Sequence, residues 1–159
     1  MHRLPVFFSG IALFAGIASI SDAAWAEDPP PPGFDAELAA ELGADELGMR
    51  RYVMAFLKSG PTPSETPERA RELQSAHLAN IRRMAERGQL VLAGPFMDDG
   101  DIRGIYVFAT DSVEQAREWT ESDPAIQAGA LAMELHPWYG SAAVMRVNAI
   151  HEKIAKTSF

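Results

Sequence analysis

The chain of 159 residues contains no cysteine. That excludes disulfides, thiolate nucleophiles, cysteine-held zinc or iron–sulfur centres, and a lipidated N-terminal cysteine. Cations are scarce as well: 14 Lys and Arg stand against 22 Asp and Glu, for a net charge of −8. Tracking a phosphate backbone needs clustered positive charge, so a nucleic-acid partner is not expected. Glycine-rich phosphate loops, dinucleotide fingerprints and G-x-S-x-G elbows are missing, which leaves ATP, NAD and serine-hydrolase chemistry without support. No repeat of solenoid period runs through the sequence.

One apolar run is present, from Val6 to Ile20. It is shorter than the roughly 20 residues that span a bilayer and is broken by Gly10 and Gly16. His2 and Arg3 precede it, and Ala24-Trp25-Ala26 follows with a small-x-small pattern. This is the layout of a cleaved export signal over residues 1–26. It predicts a periplasmic or secreted protein with no membrane contact after cleavage. Residues 27–49 read as a spacer and short helix. Pro29 to Pro32 form a stiff extended run, and Asp35 and Gly43 start and stop the helix.

A domain is expected over 50–148, with a tail over 149–159. Arg51–Lys58 alternates Tyr52, Met54 and Phe56 with Val53, Ala55 and Leu57, a strand apolar on both faces. Thr66, Pro67 and Glu68 open a long helix, and Gly88 stops it. Leu73, His77, Ile81 and Met84 share one face of it. Gln89–Ala93 and Arg103–Ala109 are strands joined by a Gly- and Asp-rich connector. Ser112 opens a second helix, Asp123-Pro124 a short helical turn, and Ala130–His136 a fourth strand. Pro137-Trp138-Tyr139-Gly140 is expected to stop that strand, and Val144–Val147 to add an edge strand.

The order β-α-β-β-α-β predicts an α+β, ferredoxin-like antiparallel sheet with two helices on one face. Both central strands carry apolar residues on both faces, so the uncovered face needs a partner. A second copy is the simplest one, giving a face-to-face homodimer.

The residues from about 51 to 140 resemble the YciI-like (YCII-related) family. The likeness is carried by His77-Leu78, by Gly88-Gln89-Leu90-Val91-Leu92-Ala93-Gly94-Pro95, by Gly104, by Asp123-Pro124-Ala125 with Gly129, and by Pro137-Trp138. It implies a dimeric α+β barrel and a His–Asp pair in a cleft, at His77 and Asp123. Related branches include dehydrochlorinase and muconolactone-isomerase-like enzymes. The export signal and proline spacer depart from a family associated mostly with the cytoplasm.

His77 is the only histidine of the long helix, and an imidazole can move a proton near neutral pH. Asp123 would hold one ring nitrogen. Taken by itself, His77 could equally be satisfied by a backbone carbonyl, and Asp before Pro is an ordinary helix cap. Gly94 and Pro95 suggest a tight backbone turn in the wall of a substrate cleft, or a plain strand end. Trp138, with Tyr139, offers an aromatic wall to a ligand, or seals an edge. Glu134 and His136 share a strand face and with His77 could hold a metal, but no ligand motif calls for one. Asp98-Asp99-Gly100-Asp101 reads as a solvated turn.

Three functions follow from these residues. One is a lyase or isomerase with no cofactor or metal, in which His77 and Asp123 transfer a proton on a small, cyclic or aromatic substrate. Another is a module that binds a small molecule without reaction. The last is a structural homodimer.

Overall fold

The computed structural model describes residues 30–62, 64 and 66–157. The expected export signal and Pro29 lie outside these residues. The chain divides into two units, Met1–Phe34 and Asp35–Phe159. Of the first, the described residues form a turn rather than an extended spacer. The Phe34 N–H donates to the Pro31 carbonyl at 3.0 Å, and Gly33 sits at φ 88°. Proline followed by glycine at positive φ suits the two central positions of a type II turn.

The second unit begins with helix α1 (Ala36–Leu42), capped by Asp35 and ended by Gly43 at φ 65°. Strand β1 (Met49–Ser59), helix α2 (Pro67–Glu86), and strands β2 (Leu90–Pro95) and β3 (Ile102–Phe108) follow. Then come helices α3 (Val113–Glu121) and α4 (Pro124–Gln127) and strand β4 (Leu131–Ser141). A 3-10 helix (Ala142–Arg146) and helix α5 (Val147–Ile154) close the chain. The strands lie in the order β2-β3-β1-β4, all pairs antiparallel. The fold is therefore α+β and ferredoxin-like.

Local chemistry explains the frame of α2. Thr66 Oγ1 accepts from the Arg69 N–H at 3.2 Å, and Pro67 occupies the first turn, where no amide donor is needed. Leu73, His77, Asn80, Ile81 and Met84 form its buried stripe. That stripe meets Val53, Ala55 and Leu57 of β1 and Tyr106 and Phe108 of β3, with Leu90 and Ala116 beside them. Each large apolar side chain removed from water here contributes about 1.5–3 kcal/mol.

Two expectations for the C-terminal part are corrected. Pro137 does not stop β4, which runs on to Ser141. Strand β4 pairs only with β1, so its outer edge needs no amide donor and tolerates proline. Residues 144–147 form no strand. Val144 and Met145 instead sit in helical turns packed on Tyr52, Val91 and Val107, on the sheet face away from α2. The chain thus covers one part of that face itself, while Met54, Phe56 and Ile105 stay partly exposed. The expected tail also contains α5, whose Asn148 side chain donates to the Leu90 carbonyl at 2.8 Å. Helix α1 is held to the other end of the sheet: Arg146 pairs with Glu41 at 2.5 Å, and Arg50 donates to the Leu42 carbonyl at 3.0 Å.

Candidate functional site

Helix α2 carries His77 over the middle of the sheet, and the turn between α3 and α4 brings Asp123 against it. His77 Nδ1 lies 2.7 Å from Asp123 Oδ2, across 46 positions of sequence. Asp123 is fully buried and His77 is 7% exposed. A buried carboxylate needs donors, and Asp123 has three. Asn80 Nδ2 donates to Oδ2 at 3.3 Å, and the Ala125 N–H donates to Oδ1 at 2.8 Å. With both oxygens acting as acceptors, His77 Nδ1 is the donor in the third bond. One carboxylate thus caps α4 with Oδ1 and holds the imidazole with Oδ2. The two readings of Asp123 that the sequence left open are both realised.

Asn80 is held in turn. Its Oδ1 accepts from Arg83 and from Ser122 Oγ, the latter at 3.3 Å. On the other side of the ring, His77 Nε2 lies 3.2 Å from Tyr106 Oη, and the two rings are near-parallel at 17°. Burial, helped by the negative charge of Asp123, pushes the Tyr106 hydroxyl far above the ordinary tyrosine range. Tyr106 therefore keeps its proton and is able to donate it in a hydrogen bond.

Sequence reasoning missed Tyr106 and Asn80. Each left a signal. Asn80 falls three residues after His77, inside a stripe otherwise apolar. Tyr106 is the one side chain with a hydroxyl in a central strand of Ile, Val and Phe, and a buried hydroxyl needs a partner.

The other expected site residues belong to β2 and β4. Gly94 and Pro95 are extended residues of β2, opposite Ile105 and Gly104, and make no tight turn. A side chain is forbidden at Gly104 instead, where a Cβ would meet the Gly94 carbonyl at 2.6 Å. Trp138 stands opposite Tyr52, ring centroids 5.5 Å apart, on the sheet face away from His77. Its indole folds over Gly140, where a Cβ would meet ring carbon at 2.2 Å. Glu134 and His136 share that far face, with His136 Nε2 2.9 Å from Glu134 Oε1 and Lys58 on the same carboxylate. The sheet separates them from His77. Among the described residues no group of three or more His, Asp or Glu could hold a metal.

A cavity of about 400 Å³ opens at the β2 edge between α2 and α5. Ile81, Ala85, Leu90, Leu92 and Val147 supply apolar wall, and Ala93 reaches it from the strand position opposite Tyr106. Neither His77 nor Asp123 lines it.

The sequence model of the YCII-related domain matches residues 52–139, more than half of the chain. The chain belongs to the YCII-related domain family. The match begins at Tyr52 in β1 and ends at Tyr139 in β4, so α1, the 3-10 helix and α5 lie outside the matched residues. No curated protein matches the chain. Among solved structures, it is similar to 5-chloro-2-hydroxyhydroquinone dehydrochlorinase (TftG) from Burkholderia phenoliruptrix AC1100, in complex with 2,5-dihydroxybenzoquinone. Identity is 20%, the match covers 56% of this chain and 93% of the other, and the TM-score is 0.42. Among the described residues, no helix is long and apolar enough to cross a membrane.

Proposed function

We propose that this YCII-related protein transfers protons on a small, cyclic or aromatic molecule, as a lyase or isomerase that needs no cofactor. His77 is the general base and acid, and Asp123 orients it. One observation carries the reading: a buried imidazole is held at 2.7 Å by a carboxylate whose own oxygens are fixed by Asn80 and the α4 amide. Such orientation is what a proton-transfer group requires, and general acid–base help of this kind contributes about 10²–10⁴ in rate. His77 would be the final acceptor of a proton lost beside a carbonyl. The electron pair left behind either expels a leaving group, completing an elimination, or is reprotonated at another carbon, completing an isomerisation. The protein is exported, and it pairs through the part of the far face that keeps Met54, Phe56 and Ile105 half-covered.

The test is to incubate the purified protein with a panel of hydroxylated cyclic and aromatic compounds in deuterated buffer. Proton NMR then follows deuterium uptake or elimination. Activity on one compound, lost in His77→Ala with the fold intact, is expected. Full activity in that variant sinks the reading. Sedimentation of the protein and of Phe56→Glu tests the pairing, and the mass of the N-terminus in an exported fraction tests the cleavage.

The cavity supports a second reading, because it lies away from His77. A small ligand bound there without reaction would raise the unfolding temperature by mass action. Recovery of a product from that ligand eliminates this alternative.

A further inference from the structure

His77 spends both of its ring nitrogens inside the protein. Nδ1 meets Asp123, and Nε2 meets Tyr106. A general base needs a lone pair within reach of the proton it takes. On this ring that lone pair is at Nε2, and the Tyr106 hydroxyl already occupies it. Neither partner is placed to swing aside. Tyr106 is 2% exposed, lies on β3 with β1 and β2 paired on either side, and meets Phe108 edge to face at 5.8 Å. His77 is fixed by Asp123 from the opposite side.

We propose that Tyr106 is the third member of this site: its hydroxyl fixes the tautomer of His77 and passes protons to and from Nε2. Donation by Tyr106 makes Nε2 the acceptor and leaves the ring proton on Nδ1, where Asp123 receives it. When a substrate loses a proton, that proton bonds to Tyr106 Oη while the phenolic proton moves to Nε2. One O–H bond breaks and one forms at Tyr106, and the resulting imidazolium faces Asp123. Reversal of both movements returns the proton. Burial keeps the hydroxyl protonated, so the two transfers are coupled and no free phenolate accumulates. The relay rests on the proposed acid–base role of His77; the tautomer lock does not.

Nitrogen-15 NMR of the His77 ring, in the wild-type protein and in Tyr106→Phe, separates the two parts. The substitution keeps the ring and its packing. The wild type is expected to carry its proton on Nδ1 with Nε2 as a hydrogen-bonded acceptor. In Tyr106→Phe the Nδ1 resonance stays and Nε2 moves downfield to the position of a free acceptor. In the deuterium assay the same variant loses on the order of 10²-fold in exchange, the low end of general acid–base help. A neutral wild-type ring protonated on Nε2, or an Nε2 resonance that the substitution leaves in place, overturns the proposal. Wild-type exchange in Tyr106→Phe overturns the relay. If the wild type exchanges no probe while Nε2 still moves, the acid–base reading and its relay fall and the tautomer lock stands.

Discussion

Two histidine–carboxylate pairs lie on opposite faces of the same sheet. His77 and Asp123 are 2.7 Å apart; His136 and Glu134 are 2.9 Å apart. Distance does not distinguish them, but surroundings do. His136 and Glu134 are about half exposed, and Glu134 is shared with Lys58. Water and salt can replace each of those contacts, so the pair adds little to stability. Asp123 is fully buried, and among the described residues no buried side-chain nitrogen or oxygen lacks a hydrogen-bond partner. Removing one group there strands the others.

Asp123→Ala should give the largest effect. It removes the α4 cap and leaves the His77, Asn80 and Ala125 donors unpaired, a loss on the order of 3 kcal/mol in urea unfolding. Glu134→Ala should leave the unfolding midpoint where it was. A similar loss in both would mean that burial is not what separates the pairs. Tyr106→Phe comes next, at about 1 kcal/mol, the net worth of one hydrogen bond.

Alkaline pH sharpens the contrast. In the unfolded chain tyrosine ionises near pH 10, whereas folded Tyr106 keeps its proton well above that. The folded state binds the extra proton, so this contribution is complete below about pH 10 and is lost as pH rises further. Unfolding measured through that range should fall more gently in Tyr106→Phe. The smallest effect belongs to the exposed pair. Lys58, then His136, hold the Glu134 carboxyl below its ordinary range. The stabilisation is present above that range and fades as pH falls through the lowered value. Carboxyl NMR should show Glu134 titrating closer to its ordinary value in Lys58→Met, and salt should have the same effect.

Much of this was legible in the sequence. The alternation of Tyr52 to Leu57, the Thr66-Pro67 start and the Gly88 stop define β1 and α2, and the strand–helix order gives the sheet. What escaped was set by tertiary context. Pro137 reads as a terminator, yet an edge strand has a side where a missing amide costs nothing. Val144 and Met145 look like strand residues, but two adjacent apolar side chains in a helical turn can cover one patch together. Trp138 carries the mark of an aromatic wall, and only the pairing with Tyr52 puts it on the far face. At the site, His77 and Asp123 were readable as residue types, whereas Asn80 was missed although its place in the stripe marked it. The Tyr106 hydroxyl signalled that a partner was needed, but period-2 alternation reports which face a residue occupies and not which atom it meets.

Asp123 splits its two oxygens between a helix amide and an imidazole, and this gives the site a built-in reporter. The Ala125 amide proton is bonded to the same carboxylate that holds His77. Its NMR frequency should therefore follow any change in charge or position of that carboxylate, ligand or no ligand. Its exchange with solvent should record each opening of the first α4 turn, and every such opening also loosens the grip on the ring. One backbone resonance, assignable without any knowledge of substrate, reads out the integrity of the buried centre.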